Sequence, residues 1–378
     1  MNFQISEEHQ LLSESLSRML GDQYTFEQRR VIAASADGWS PGAWRQLAEL
    51  GVLALGIPEA HGGLGGAAAD RMPVIQALGR VLALEPYLAS GVLSTTAVLM
   101  AGSPAQKEAL LPALASGELR LAWAHEESGE RHNPTYVETR AVREGDGWRL
   151  EGGKPLVLHA SAAGRLVVSA RVSGQADAMQ GLALFLVDPD AEGVTLRHYR
   201  LIDDTPAAAL DLKNVAAEPL GDATDDTLQR SAIAATLDAG TAAACADMVG
   251  AMESAFDLTT VYVNTRKQFG RLIGEYQALR HRVAEMKVSL EISRSMAMAA
   301  AMAADSAGSP EATIELLRAK LVIGRQARLL CQAAIQSHGG IGMTEEYAVG
   351  HCLRRIHVLD QLFGDVDAQA ARLARLGA

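Results

Sequence analysis

The hydrophobic period of this chain changes twice, and that order of periods restricts the fold more than any single motif does. Up to about residue 117, apolar residues recur at helical spacing: Leu11, Leu12, Leu16 and Leu20, then Trp44, Leu47, Leu50 and Leu53. Ser6, ahead of Glu7 and Glu8, is placed to cap the first of these helices. From about 118 to 222 the period drops to two. Val137, Thr139 and Ala141 alternate with mostly polar neighbours, and Glu144-Gly-Asp-Gly turns the chain back into Trp148. Residues 166–172, 182–187, 194–197 and 209–212 follow as short strands between turn residues. From 223 onward helices return, long and rich in Ala and Met. Leu279, Val283, Met286 and Leu290 form one apolar stripe, and Gly308-Ser309-Pro310 ends one helix and opens the next. The expected fold class is α+β, mainly α, in three domains: an N-terminal helical domain (1–117), a middle antiparallel β domain built as a barrel or a sandwich (118–222), and a C-terminal four-helix domain (223–378).

Charge and cysteine usage remove several function classes. A net charge of −11 without a basic run excludes a nucleic-acid surface, although a few placed arginines can still hold a small phosphorylated ligand. Cys245, Cys331 and Cys352 are odd in number and far apart, so neither a disulfide framework nor a metal centre is expected. The opening MNFQISEEHQ carries two acids and no apolar core, unlike a secretory leader. Apolar stretches near 242–245 and 296–304 fall short of a bilayer span. A cytoplasmic protein with no membrane span is the expectation. The loop 57–66, IPEAHGGLGG, lacks the third glycine of a dinucleotide fingerprint, Ala68 standing there, and reads equally as a helix connection or a ligand contact.

Two segments carry chemistry. Residues 262–286 contain Arg266, Gln268, Phe269 and Gly270, followed by Ile273, Gln277, Ala284 and Met286; residues 336–342 read Gln336-Ser-His-Gly339-Gly340-Ile-Gly, and Gly342-Met-Thr-Glu-Glu-Tyr continues them. In this order, behind a helical–β–helical pattern that spans the whole chain, they resemble the acyl-CoA dehydrogenases. That resemblance implies FAD as cofactor. Arg266 is then expected to fork onto the flavin pyrophosphate of a neighbouring subunit, with Gln268 and Phe269 against the cofactor. Gln336, Gly339 and Gly340 are expected to bring backbone close to the adenine half.

The β domain departs from the family. Its Thr-Glu-Pro-Gly-x-Gly-Ser-Asp loop corresponds here to Glu126-Glu-Ser-Gly-Glu-Arg-His-Asn133, preceded by Trp123-Ala-His125. Glu127 and Gly129 are kept and the hydroxyl donors are lost. The Trp-x-Thr strand becomes Leu156-Val-Leu158. Trp123, His125, Glu126 and Leu158 are thus the expected flavin neighbours on this side, in an altered pocket.

The family's reaction removes the α proton of an acyl thioester with a glutamate while hydride leaves the β carbon for flavin N5. Its Tyr-Glu-Gly-Thr segment corresponds to Leu362-Phe363-Gly364-Asp365, and the alternative position, counted back from Arg266, is Gly240. The catalytic base is therefore unassigned. Asp238, Asp360, Asp365 and Asp367 read as surface or capping acids, with Asp365 a candidate flavin contact. Arg354-Arg355 through Asp365, His125-Glu126-Glu127 and Leu158-His159 resemble the small subunits of two-component acyl-CoA dehydrogenases, the pimeloyl-CoA type among them. The resemblance implies an acyl-CoA substrate, a large acyl-CoA dehydrogenase subunit that brings the glutamate, an electron-transfer flavoprotein as acceptor, and a homo- or heterotetramer. A self-sufficient homotetramer with an atypical base, and a non-catalytic partner subunit, stand as alternatives.

Overall fold

The computed structural model describes residues 7–130, 132–145, 147–306 and 308–377; Ser6 and Asp146 lie outside the described residues. Helices α1 (Glu7–Gln23), α2 (Phe26–Ala34), α3 (Pro41–Glu49), α4 (Ala68–Arg80), α5 (Thr95–Ala101) and α6 (Pro104–Ala115) precede the sheet. The strands are β1 (Leu121–Ala124), β2 (Arg140–Glu144), β3 (Gly147–Leu158), β4 (Arg165–Arg171), β5 (Leu182–Val187), β6 (Val194–Arg200) and β7 (Pro206–Pro219). There follow α7 (Asp226–Thr265), a small hairpin of β8 (Lys267–Gln268) and β9 (Arg271–Leu272), and then α8 (Gln277–Asp305), α9 (Pro310–His338), α10 (Ala348–Gln361) and α11 (Val366–Leu376). The chain divides into two compact units, residues 31–67 with 84–240, and residues 1–30, 68–83 and 241–378.

The first unit is built on the sheet. Strands run in the order β1-β4-β2-β3-β7-β5, and β5 returns to β4, so the sheet closes into a barrel with β6 beside β7. Leu150, Val157, Leu166, Val168, Phe185, Val187, Leu210 and Val215 fill its interior. The sheet is mixed rather than antiparallel. Period-two strands and tight turns produce the β2–β3 hairpin, but β1 and β2 both pair with β4 in parallel. Each reaches β4 only after other strands intervene, and a long connection leaves strand direction free. Local caps start the accompanying helices. Ser40 accepts from Ala43 N (3.1 Å) ahead of Pro41. Ser103 and Gln106 form a reciprocal capping box at α6, and the Gln106 amide also donates to Glu218 Oε1 and Pro219 O at the end of β7.

The second unit is a helical bundle in which α9 packs against α8, α10 and α11, and α4 packs against α1 and α8. Among the described residues the stretch after 223 carries five α-helices where four were expected, because the tight turn at 362–365 separates α11 from α10. Met286 and Leu290 of the predicted stripe are buried and Leu279 and Val283 half-buried. Ser309 caps α9, accepting from Ala312 N at 3.0 Å, with Pro310 in the first turn. α7 is apolar enough by length and composition to cross a bilayer (mean hydropathy 1.2), yet 78% of that stretch is buried inside the protein, so it is a core helix. Two glycines let it approach α4: a Cβ on Gly250 would lie 2.2 Å from Gln76 O, and one on Gly79 would lie 2.4 Å from Asp247 O. Arg355 on α10 then forks onto Asp247 of α7, Nε to Oδ1 at 3.1 Å and Nη2 to Oδ2 at 2.7 Å, both side chains nearly buried.

Because backbone stands where the new methyl would go, Gly250→Ala is expected to lower stability by about 1–3 kcal/mol. Urea unfolding against wild type measures it, and an unchanged midpoint would contradict the close approach of α4 and α7.

Candidate functional site

In the barrel unit the expected site residues gather around a buried cation. Lys154 on β3 shares a face with core Leu150 and is fully buried. Its ammonium donates to Glu127 Oε1 (2.6 Å), Ser169 Oγ (3.1 Å) and His125 O (3.2 Å), which satisfies its three N–H bonds. Glu127 also accepts from the backbone of Glu138 and from Thr139 N (3.0 Å) and Thr139 Oγ (2.7 Å). Ser169 accepts from Lys154, so its own proton goes to His125 Nδ1 (2.9 Å), and His125 Nε2–H donates to Pro134 O (3.0 Å). The connection between β1 and β2 is therefore pinned at 125, 127, 134 and 138–139. Burial, with the Lys154 charge beside it, depresses the His125 pKa to about 3, so the ring is neutral. Burial also depresses Lys154, to about 8, against the attraction of Glu127. Glu127 itself lies below the usual carboxylate range: burial raises it, and the Lys154 charge and the hydrogen bonds outweigh that.

Trp123 is buried and stacks on His125 with ring centroids 5.5 Å apart. Glu126 is half-buried, and Leu158 is buried at the end of β3. Lys154 and Ser169 were not singled out from the sequence, and Thr139 entered only through the period-two pattern. The available signals were a lysine and a serine at inward positions of otherwise apolar strands.

In the bundle unit, Arg266 follows the last turn of α7, its N–H donating to Tyr262 O (2.9 Å). The β8–β9 hairpin turns through Phe269 (φ 53°) and Gly270 (φ 84°), and Phe269 is 92% exposed. Gly274 packs the hairpin back on Val263 O, and Arg271 lies over the Tyr276 ring at 4.0 Å. Arg266 and Gln268 are exposed. A phenylalanine in the left-handed region with its ring in water gains nothing from its own chain; the turn presents the ring outward. Gln336 is exposed near the end of α9, and Gly339 (φ 67°) and Gly340 follow it. A Cβ on either glycine would meet no atom within 4 Å. Nothing in the chain's own packing excludes a side chain there, so both face open space that a ligand can fill. A guanidinium, an amide, an outward aromatic ring and bare backbone form a donor set suited to a dinucleotide with a pyrophosphate and flat rings.

At the 362–365 turn, Phe363 is left-handed (φ 61°) and half-buried. Fully buried Lys320 donates to Asp360 O (2.9 Å) and Gly364 O (3.2 Å), and Gln369 Nε2 donates to Phe363 O (2.8 Å) and Gly364 O (3.0 Å). Asp365 Oδ1 accepts from Ala368 N (2.9 Å) and caps α11. Asp367 is exposed and Asp238 half-buried. Asp360, expected at the surface, is instead 8% exposed: its Oδ1 has no hydrogen-bond partner, stands over Gly324, and lies 4.0 Å from Lys320 Nζ. Burial raises its pKa. The two units thus hold different parts of the expected set. Trp123, His125, Glu126 and Leu158 belong to the barrel, and Arg266, Gln268, Phe269, Gln336, Gly339, Gly340 and Asp365 to the bundle. Among the described residues no group of His, Cys, Asp and Glu is arranged to hold a metal ion. The three cysteines are free and buried.

Three family models match the sequence: the acyl-CoA dehydrogenase N-terminal domain over residues 6–118, the middle domain over 122–215 and the C-terminal domain over 230–377. The chain is 27% identical over 383 residues to the probable acyl-CoA dehydrogenase YngJ of Bacillus subtilis, covering 99% of each. It is 27% identical to subunit CarC of the caffeyl-CoA reductase-Etf complex of Acetobacterium woodii, over 83% of each. Among solved structures, a variant of the Tcur3481-Tcur3483 steroid ACAD superposes with a TM-score of 0.88 at 29% identity, over 99% of this chain and 98% of that one.

The buried network has a pH signature. Unfolded, His125 titrates near 6.5; folded, near 3. Its contribution to stability is fully present above pH 6.5 and is lost as pH falls toward 3, at about 1.4 kcal/mol per pH unit. The depressed Glu127 carboxyl adds a further loss below about pH 4.5. His125→Gln is expected to flatten the pH dependence of urea unfolding between 6.5 and 4.5 by one proton; an unchanged slope would show that His125 is not held neutral. Lys154→Met leaves Glu127 buried and unpaired, and a loss of about 3–5 kcal/mol is expected in the same measurement.

Proposed function

The chain belongs to the acyl-CoA dehydrogenase family, and from that premise we propose that it is the glutamate-lacking small subunit of a two-component, flavin-dependent acyl-CoA dehydrogenase. The observation that carries this reading is the 362–365 turn. Phe363 occupies the place of the family's base, and the adjacent carboxylate, Asp365, is engaged in capping α11. Gly240, at the other base position, has no side chain to offer. Lys320 and Gln369 clamp the backbone of a turn that carries no acid at 363. The α proton is then taken by a carboxylate of a larger partner subunit.

Arg266, Gln268 and Phe269, with Gln336 and the open Gly339–Gly340 turn, fit FAD and are assigned to hold it, the guanidinium on the pyrophosphate and the glycines under the adenine half. When bound, FAD supplies a two-electron acceptor. Trp123, His125, Glu126 and Leu158 are assigned to the flavin side of the barrel, and Asp365 to a flavin contact at the 362–365 turn. His125 is neutral and cannot repel or donate as a cation there. Leu158 replaces a hydroxyl with an apolar branch, so the loop's contribution comes from backbone held in place by Glu127 and Lys154.

Several lines support the partner and the acceptor. The similar steroid ACAD bears a paired name, and the similar CarC is a subunit of a reductase-Etf complex. By the same resemblance the substrate is a bulky, ω-carboxylated or otherwise unusual acyl-CoA. The subunit type is that of pimeloyl-CoA dehydrogenase, the assembly is a tetramer, the acceptor an electron-transfer flavoprotein and the location cytoplasmic.

A second reading, a self-sufficient enzyme, is favoured by one observation: Asp360 is a buried carboxyl whose pKa burial raises, and its Oδ1 accepts no hydrogen bond although Lys320 Nζ stands 4.0 Å away.

The test is the visible spectrum of the chain purified alone, before and after anaerobic addition of an acyl-CoA panel. Flavin bands that persist unbleached are expected. Phe363→Glu returns a carboxylate to the turn, and a gain of about 100-fold or more in the rate of bleaching is expected. Bleaching by the wild-type chain would sink the small-subunit reading, and its loss in Asp360→Asn would then assign the base to Asp360.

A further inference from the structure

We propose that His338 is a positioning residue that sets the spacing between the two cofactor-holding segments of the bundle, the Arg266 hairpin and the Gly339–Gly340 turn. The inference rests on the assignment of those segments to FAD.

His338 is the last residue of α9 and is 4% exposed. Its imidazole lies between two tyrosine rings, Tyr262 at 4.5 Å and Tyr347 at 4.9 Å between centroids; the tyrosines themselves stand 6.4 Å apart. Tyr262 is on the last turn of α7, and its carbonyl accepts the Arg266 N–H. Its ring contact with His338 therefore ties the base of the Arg266 hairpin to the residue directly before Gly339. Tyr347 stands at the start of α10, at the far end of the glycine turn, so the imidazole touches the chain on both sides of that turn.

The turn itself is laid over the histidine. Gly342 is buried, and a Cβ there would stand 3.0 Å from His338 Cβ and 2.9 Å from Ile335 O. The Gly339 N–H closes α9 on Ile335 O. Nothing similar crowds Gly339 or Gly340, which leaves those two facing open space while Gly342 seats the loop.

The ring is fixed against rotation by Nδ1, 2.8 Å from Ala334 O, while Nε2 is buried with no hydrogen-bond partner. The imidazole's second nitrogen is turned toward the Leu258 carbonyl without a well-formed hydrogen bond, and the ring's packing contacts are made through its flat faces. Aromatic pairs at these separations are attractive beyond the area they bury. The groups that face it are the Tyr262 and Tyr347 rings and the carbonyls of Ala334 and Leu258; burial lowers its pKa and the two carbonyls oppose that.

The test uses the full-length apoprotein, titrated with FAD by quenching of flavin fluorescence, with His338→Ala and His338→Phe beside wild type. His338→Ala is expected to weaken FAD binding about ten-fold or more, because both ring contacts are lost. His338→Phe restores a flat ring and is expected to bind within about two-fold of wild type. Unaltered affinity in His338→Ala, or equal weakening in both variants, would overturn the proposal. Amide hydrogen exchange on the same proteins separates this from the functional reading. His338→Ala should speed exchange in both 262–272 and 339–347, and His338→Phe in neither. If wild type takes up no FAD, the cofactor reading fails, and exchange still decides: faster exchange in both segments supports the spacing role, and faster exchange in one or neither overturns it.

Discussion

A cation inside a protein has lost its water, and the fold must supply oxygens in its place. This chain meets that demand with irregular backbone. Lys154 takes a carboxylate, a hydroxyl and a carbonyl from the β1–β2 connection and β4. Arg171, 1% exposed, donates to the carbonyls of Thr135, Val137, Ala176, Ala178 and Gln180. Lys320 holds the carbonyls of Asp360 and Gly364. Helices and strands satisfy their interior carbonyls, so the free oxygens are found in loops and at helix ends such as Asp360 in the last turn of α10. The buried cations consequently fasten the loops, and the segments proposed to face cofactor and substrate are among those fastened.

That arrangement fixes the shape of the β1–β2 connection independently of any side chain it presents to a ligand. The loop that begins at Glu126 is held by Glu127 and His125, neither of which has to touch a ligand to do so. The same holds at the other end of the chain. Phe363 and Gly364 stay left-handed under Lys320 and Gln369 although the carboxylate expected at 363 is absent. Glu127, Lys320 and Gln369 fix backbone through buried hydrogen bonds, so the side chains beside them are not needed to hold these turns.

Legibility followed period. The bounds of β5 at 182–187 were read directly, since that strand is buried throughout and ends at turn residues. The start of α9 was marked by Ser309 and Pro310, whose preferences are local. By contrast, 209–212 was only the middle of β7, which runs from Pro206 to Pro219 through Lys213 and a left-handed Asn214, where alternation fails. The parallel pairing of β1 and β2 with β4 was hidden, since register between distant strands leaves no local pattern. Lys154 was passed over and Asp360 was read as a surface or capping acid because charged residues are mostly exposed, and only the partners around them show otherwise.

By itself the sequence determined the helical–β–helical order and marked the Arg266–Phe269, Gln336–Gly340 and 362–365 segments proposed to form the site, because each is written in contiguous residues with local preferences. The tertiary structure decided which polar groups share the interior. Lys154 meets Glu127 across 27 positions and Lys320 meets Gly364 across 44. His338 lies between Tyr262 and Tyr347 only because α7, α9 and α10 converge there. Period and propensity specify backbone angles residue by residue. The distance between residues far apart in the chain depends on packing and closure, and a linear pattern does not contain it.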